Sequence, residues 1–373
     1  MKIRARALPV PRRRGGFSLV ELLIAMTLGL ALIGTLVTSF ASSRQSARFN
    51  ANVTELQESA RFALDTMIAD ARMAGFQGCI DINSAKARVR AVDAPTDDFL
   101  ATSLRVHRVA ASDGWVPAAP DGFEAPAAGG RPVPGSHALS VQFGNPETRA
   151  IRPMSTASDA LVLAEASASD VGLSSGDLAL VSDCQKADIF TVTATAGATL
   201  QHGAAANDGP NLSGAYGRDL PPAARRVPAL LPRLMRFEAN IYYVGDTGRR
   251  NVAGDPVLSL YRQSLPYDRP AVEMIEGVAN LRLRIGHRAA PVGDGLVLTE
   301  PTADALPGPI EFLEIGLLME SVDPVVEEPD TRDYLLAGTL LPGDSSGDAA
   351  IGHRTDRRLR LAFNAGVSLR NRR

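Results

Sequence analysis

One apolar stretch near the N-terminus, residues 17–40, most strongly limits the folds that this chain can adopt. Glu21 is the only ionisable side chain in it. As a helix, this stretch would rise ~36 Å at about 1.5 Å per residue, enough to cross a hydrocarbon core of roughly 30 Å. The residues before it include six Lys and Arg and no acid. Because basic flanks stay in the cytoplasm, the sequence predicts a membrane helix with a cytoplasmic N-terminus.

Three simpler interpretations compete with this one. A secretory signal peptide has an apolar core of only about 7–15 residues and a small-x-small cleavage site. An ordinary signal anchor fits the length and the arginines, but it does not account for Glu21, since a charge inside the membrane costs about 3 kcal/mol. A soluble core helix does not account for the basic flank.

The junction at residues 15–23 is G-G-F-S-L-V-E-L-L. It resembles the cleavage and methylation motif of type IV prepilins and type II secretion pseudopilins. The resemblance implies that a membrane peptidase cuts after Gly16 and that the new N-terminal residue, Phe17, is N-methylated. It also implies that Glu21 pairs with the Phe17 amine of a neighbouring subunit. A carboxylate in apolar surroundings needs such a partner, and a methylated amine keeps its charge.

The helix is predicted to continue past the membrane stretch as far as Gly75, a typical helix stop. No proline interrupts residues 17–75, and apolar residues recur there at helical spacings, at Phe49, Val53, Leu56, Ala60, Leu64, Met67 and Ala71. The predicted organisation is a basic leader at 1–16, a membrane or filament-core helix at 17–40, an amphipathic continuation at 41–75 and a body at 76–373.

The body is predicted to be rich in strands and loops, because turn residues bound its short apolar or alternating stretches. The predicted strands are 160–164, 177–184, 188–195, 234–244, 257–264, 281–285, 311–320 and 358–369. No helical periodicity separates them, so antiparallel pairing is expected. Residues near 116–136 and 202–232, rich in Ala, Pro and Gly, predict long loops. The predicted fold class is α+β, with the long helix packed on an antiparallel sheet.

Four further stretches extend the resemblance along the chain, at residues 61–79, 181–190, 274–286 and 357–372. Together with the N-terminal motif they resemble the PilW family of minor pilins. This resemblance implies a structural subunit that helps to initiate assembly of a type IV pilus and sits at or near its tip. It also implies a single-pass inner-membrane protein with a periplasmic body, which becomes extracellular in the pilus.

The implied partners are other minor and major pilins, held through the N-terminal helices, with the prepilin peptidase, an inner-membrane assembly platform, a tip adhesin and, before assembly, the lipid bilayer. Twitching motility and adhesion are the activities of such filaments. Two alternative functions remain open. One is a minor pseudopilin of type II secretion, and the other is a tip-exposed module that binds DNA or a surface.

Other chemistry finds little support in the sequence. The five histidines lack metal-ligand spacing: His107, His137, His202, His287 and His353. The G-D-S-S-G at 343–347 departs from a serine-protease nucleophile loop, and Asp344, Ser346 and Asp348 lack the spacing of an EF-hand. The sequence therefore predicts no enzyme, cofactor or metal. Without its leader the chain has 33 bases against 41 acids, a net charge of −8, so no nucleic-acid partner is predicted.

The two cysteines, Cys79 and Cys184, predict one disulfide if the body leaves the cytoplasm, because an even number is then typical of a bridge. The alternative is two unrelated buried thiols. A bridge would close a ring of about 100 residues, which the chain-entropy model values at roughly 4–5 kcal/mol as an upper figure.

We therefore predict that thiol titration of the exported, denatured protein under oxidising conditions finds no reactive cysteine. The same titration after reduction should find two, and this serves as the control. One or two reactive thiols in the unreduced sample would contradict the disulfide.

Overall fold

The computed structural model describes residues 16, 18–80, 86–110, 114–126, 129–265, 269–288, 295–301, 310–344 and 352–369. Helix α1 spans Leu19–Met73, and a short helix α2 spans Phe99–Thr102, with the Asp98 side chain accepting from the Ala101 amide at its N-terminus. Short 3-10 helices span Ala168–Val171, Ala224–Arg226 and Pro228–Leu230. The described chain divides into two compact units, Met1–Ala51 and Asn52–Arg373.

Twenty-two strands lie in the described part of the second unit. In chain order the first eleven are β1 Arg88–Val89, β2 Leu104–Val109, β3 Trp115–Val116, β4 Arg131–Pro132, β5 His137–Gly144, β6 Arg149–Ala150, β7 Leu161–Val162, β8 Leu178–Ser182, β9 Ala187–Thr191, β10 Ala194–Ala196 and β11 Thr199–Gln201. The others are β12 Arg233–Arg250, β13 Pro256–Ser264, β14 Val272–Glu276, β15 Val278–Arg288, β16 Leu296–Thr299, β17 Ile310–Glu320, β18 Tyr334–Leu336, β19 Thr339–Leu341, β20 Gly343–Asp344, β21 His353–Arg354 and β22 Arg360–Ser368.

The largest sheet among the described residues follows the order β1-β9-β8-β12-β5-β2-β3, with β4, β6, β13 and β14 joined beside this path. Strand β12 is its organising element. Its first residues pair with β8, and the residues that follow pair with β5 on one side and β13 on the other. Almost every pairing is antiparallel, as expected; β1–β9 and β20–β21 are parallel.

A second sheet has the order β16-β15-β17-β22 and is antiparallel throughout. Its apolar side chains share one core with the large sheet and with residues 52–73 of helix α1. The helix contributes Leu56, Ala60, Ala63, Met67 and Ala71, all buried. Four of these five belong to the predicted apolar stripe. Three of the five are alanines, whose small side chains let the helix approach the strands closely.

These observations confirm the predicted α+β class, a long N-terminal helix with an antiparallel body. Each of the eight predicted strands coincides with an observed strand, although β12 and β15 are longer than predicted. Helix α1 ends at Met73, and Gly75 follows with a φ of +75°. Glycine adopts this left-handed conformation without steric cost, and the Gly75 amide donates to the Gln142 carbonyl of β5 at 3.0 Å.

A buried ionic network fixes the start of β22. Both oxygens of Glu320, at the end of β17, accept from arginines: Oε1 from Arg358 and Oε2 from Arg360 at 2.9 Å. The Arg360 guanidinium also lies 2.8 Å from Asp356. All three members of the Glu320–arginine group are at most 4% exposed. Removing one partner of such a group strongly destabilises a fold, because the remaining charge is left buried.

A hydrogen-bonded carboxylate joins helix α1 to strand β12. Asp70 Oδ2 accepts from the Tyr242 hydroxyl at 2.6 Å and from Asn240 Nδ2 at 2.8 Å. Burial, followed by the neighbouring Asp70 carboxylate, raises the pKa of Tyr242 above its usual range, so the hydroxyl remains a donor. These hydrogen bonds add a directional interaction to the apolar packing that holds the helix on the sheet.

We predict that Asp70→Ala lowers the free energy of unfolding by about 1–3 kcal/mol, because it leaves buried donors of Tyr242 and Asn240 without their acceptor. Urea unfolding of the detergent-solubilised chain measures this change. The matched control is Asp65→Ala, which removes an exposed carboxylate from the same helix. Equal effects of the two substitutions would show that the Asp70 contact contributes nothing.

Candidate functional site: the N-terminal helix

The first turn of helix α1 carries the carboxylate predicted to act in assembly. The helix begins at Leu19, its first turn contains Glu21, and the Leu22 amide donates to the Ser18 carbonyl at 3.0 Å. Glu21 and Gly16 are both exposed, whereas Phe17 lies outside the described residues. The partial positive charge at a helix N-terminus favours a carboxylate in this turn.

The apolar half of helix α1, residues 19–40, is largely exposed in the described structure. Helix α1 is the one described helix that is long and apolar enough to cross a membrane, and none of its most apolar 18-residue window is buried. Its large side chains are more than half exposed: Leu19, Val20, Leu22, Leu23, Ile24, Met26, Leu28, Leu30, Leu32, Ile33, Leu36, Val37 and Phe40. An apolar surface this extensive requires lipid or other protein around it.

Three threonine hydroxyls within this half are satisfied by the helix itself. The hydroxyls of Thr27, Thr35 and Thr38 donate to carbonyl oxygens three residues earlier, at 2.8–3.0 Å. An unsatisfied polar group costs several kcal/mol in hydrocarbon. The three threonines are therefore compatible with an apolar environment.

Gly29 and Gly34 lie inside this half, and the helix continues through both without a break. A Cβ built at either position would meet no atom of the described residues within 4 Å. Neither glycine is therefore required for packing within the described structure. Small residues in membrane helices are typical of close approach between helices.

The first charged residue after Glu21 is Arg44, and its guanidinium carbon lies 4.3 Å from the centre of the Phe40 ring. Paired aromatic and basic side chains are typical of the end of a membrane span, where the ring and the cation meet the interface. The predicted limit of the span at residue 40 coincides with this pair.

The two cysteines, Cys79 and Cys184, form a disulfide. Cys184 lies in the turn between β8 and β9 with a φ of +66°, a conformation that non-glycine residues rarely adopt. The Asp183 carboxylate accepts from the amides of Gln185 and Lys186 in the same turn. The bridge thus joins the segment that follows helix α1 to the sheet, and it closes a separation of 105 residues.

The sequence analysis did not identify Asp188, which anchors the 202–232 segment to the sheet through hydrogen bonds. Asp188, fully buried on β9, accepts from the Ser213 amide at 2.7 Å, from the Ser213 hydroxyl at 2.5 Å and from the Tyr216 hydroxyl at 2.7 Å. Burial and the Asp188 carboxylate raise the pKa of Tyr216 far above its usual range. An aspartate at the start of a predicted strand is the one available signal, since strands rarely bury an unpartnered carboxylate.

Among the buried histidines of the body, His107 and His137 are hydrogen-bonded neutral rings. His107 Nδ1 lies 3.0 Å from the Pro117 carbonyl and Nε2 lies 2.8 Å from the Ser140 hydroxyl. His137 contacts the Leu283 backbone, and its Nε2 faces Arg282 at 3.3 Å. Burial lowers the pKa of each ring to about 4, and Arg282 adds to this effect at His137.

Among the described residues, no group of three or more His, Cys, Asp and Glu is arranged to hold a metal ion. Ser346 and Asp348, considered in the sequence as parts of a calcium or nucleophile loop, lie outside the described residues. The described part of the body thus contains no candidate metal centre, and the N-terminal helix remains the candidate site.

Comparison with known proteins adds one finding. The family model of the prokaryotic N-terminal methylation motif matches residues 11–37, which include Gly16, Phe17 and Glu21. No curated protein and no solved structure matches the chain. The matched motif, together with the exposed apolar helix that overlaps it, indicates a type IV pilin-like or pseudopilin-like protein. Proteins with this motif are structural subunits processed by a prepilin peptidase, and the helix is consistent with a single-pass inner-membrane anchor.

The neutral histidines predict a pH dependence. The unfolded chain binds more protons than the folded chain between the ordinary histidine pKa of 6.5 and the folded value of about 4. Stability is therefore lost as the pH falls through this window, by roughly 3 kcal/mol per histidine once protonation is complete. Urea unfolding between pH 7 and pH 4.5 measures this loss.

In His107→Gln, the slope of the unfolding free energy against pH should fall to about half in this window, because one of the two rings no longer titrates. A wild-type stability that does not change between pH 6.5 and pH 4.5 would contradict the assignment of buried neutral rings.

Proposed function

We propose that the protein is a minor pilin of the PilW family, a structural subunit that helps to initiate assembly of a type IV pilus and sits at or near its tip. One observation carries the proposal. A methylation motif at residues 11–37 overlaps the start of a helix whose most apolar window is wholly exposed in the described structure. A subunit of a helical bundle presents such a surface before its neighbours cover it.

The proposed processing follows the motif residue by residue. The leader 1–16 is removed after Gly16, and the amine of Phe17 is methylated and keeps its positive charge. Residues 17–40 then form the filament core, residues 41–75 continue the helix, and residues 76–373 form the body. Processing creates a cation in the same apolar layer as the Glu21 carboxylate.

Glu21 would pair with the Phe17 amine of a neighbouring subunit. Attraction between opposite charges is much stronger in an apolar medium than in water, and a carboxylate without a partner is costly there. The pair would therefore set the axial position of one helix against the next. It would act as a registration device, in addition to the non-directional packing of the exposed apolar side chains.

The proposed location is the inner membrane, with a cytoplasmic N-terminus and a periplasmic body that becomes extracellular in the pilus. The proposed partners are other minor and major pilins, the prepilin peptidase, an assembly platform and a tip adhesin. The disulfide between Cys79 and Cys184 is consistent with an oxidising compartment for the body. The role is structural and uses no cofactor.

The motif is shared with pseudopilins of type II secretion, so that function is the nearest alternative. The two are separated by deleting the gene and scoring surface pili and protein secretion in the same cells. Loss of pili with normal secretion supports the proposal, whereas loss of secretion with normal pili contradicts it. A third role, adhesion by a tip-exposed body, requires that the purified protein bind a surface or DNA.

We predict that Glu21→Ala fails to complement the pilus defect of the deletion strain, because the Phe17 amine is left without its partner. Glu21→Asp should complement this defect at most in part, because the shorter side chain reaches less far. Membrane fractionation should show each variant inserted at the wild-type level. The readout is the number of surface pili per cell.

Glu58→Ala provides the matched control, since Glu58 is an exposed carboxylate on the same helix outside the apolar half. It should complement fully. If Glu21→Ala also complemented fully, the proposed pairing would have to be abandoned.

A further inference from the structure

A pocket of about 350 Å³ opens in the body, far along the chain from the helix motif. Strands of both sheets and the strand β21 supply its walls. Its lining residues are Arg131, Pro132, Val133, Pro134, Asp246, Pro256, Leu258, Ala279, Glu320, Gly352, His353, Arg354 and Arg358. Pockets of this volume are of the size that holds small organic ligands.

Most of the wall is apolar and rigid. Val133, Leu258 and Ala279 provide aliphatic surface, and three prolines stand beside them. Proline has no backbone N–H and a fixed φ, so these wall positions offer carbon surface and no amide donor. A ligand body that suits this wall is a short aliphatic chain.

The deepest charges of the pocket are already neutralised within the fold. Glu320 accepts from Arg358 and Arg360 on its two oxygens, and Arg358 Nη2 donates to the Pro256 carbonyl at 2.9 Å. Both side chains of the Glu320–Arg358 pair are at most 4% exposed. These paired charges stabilise the walls of the pocket, and they need no charged ligand as a partner.

Asp246, the other carboxylate that lines the pocket, also has hydrogen-bond partners within the fold. It accepts from the Gly248 amide at 2.8 Å and from Arg250 at 3.2 Å. Likewise, the two ring nitrogens of His353 lie 2.7 Å from the Arg332 carbonyl and 3.0 Å from the Arg354 carbonyl. Asp246 and His353 therefore already have partners within the fold.

Arg354 differs from these groups. Its side chain is 45% exposed, and among the described carboxylates it contacts Asp255 alone, through one Nη atom at 3.0 Å. A guanidinium has five N–H donors arranged in a planar fork, so one contact leaves an edge that can bind an anion. The pocket thus combines an aliphatic wall with exposed arginines, Arg354 and, also in the lining, Arg131.

We propose that this pocket binds a small carboxylate with a short aliphatic body, whose carboxylate contacts Arg354 and whose chain lies against Val133, Leu258 and Ala279. Charge complementarity selects the head group, and the apolar wall selects the body. The site does not depend on the filament role of the chain, and its test needs no assembled pilus.

The test uses 4-methylpentanoate as the probe and 4-methylpentanamide as its uncharged match, with the full detergent-solubilised chain and saturation-transfer NMR. The carboxylate should bind at least about tenfold more tightly than the amide, because only the carboxylate forms a charge-assisted hydrogen bond with the guanidinium. Equal binding of the two probes, or binding of neither, would overturn the proposal.

Two variants locate the binding. Arg354→Gln should weaken carboxylate binding about tenfold and leave amide binding unchanged, whereas Arg218→Gln, which removes an exposed arginine elsewhere on the body, should change neither. Leu258→Phe should block both probes by filling the pocket, with a thermal midpoint that shows the body still folded. Carboxylate binding that survives Arg354→Gln and Leu258→Phe undiminished would refute the site.

Discussion

Burial of one face of helix α1 against two sheets is the interaction on which the body depends. Residues 52–73 place Leu56, Ala60, Ala63, Met67 and Ala71 in the core that also contains the inner faces of both sheets. The same helix, in residues 19–40, leaves apolar side chains exposed in the described structure. One continuous helix thus has two roles: its second half completes a globular core, and its first half needs a membrane or other helices around it.

Two further interactions lie at the C-terminal end of this helix. The Asp70 contact lies in its last turns, and the disulfide lies in the segment that follows it; both join this end to the sheet.

The sequence was sufficient to predict what depends on local pattern. The long apolar helix, its apolar stripe, the stop at Gly75 and eight strands follow from periodicity and turn chemistry. Strand β5 was missed for a physical reason: all eight of its residues are buried, yet they include His137, Ser140 and Gln142. A run with polar residues on both faces has neither the alternation nor the continuous apolar character of a typical strand. Its burial becomes favourable only when partners such as His107, which contacts Ser140, arrive from elsewhere in the chain.

The same limit applies to the candidate sites. Gly16, Phe17 and Glu21 could be named from the sequence because a contiguous motif contains them, and the family model matches that segment. The pocket could not, because its residues come from positions 131–358 and their proximity depends on tertiary pairing. Arg358 and Arg360 stand in a stretch that was predicted as a strand and that carries part of the family resemblance. In the fold they are buried partners of Glu320, a role that no local pattern indicates because Glu320 lies about 40 residues earlier.

The central claim is that the chain is a processed prepilin-like subunit, and intact-mass analysis with N-terminal sequencing tests it most directly. The protein is isolated from membranes of cells with and without the prepilin peptidase. The account predicts loss of residues 1–16 and one added methyl group on Phe17, only where the peptidase is present. An intact, unmethylated N-terminus in both strains would contradict the account, and the chain would then be an ordinary membrane-anchored protein.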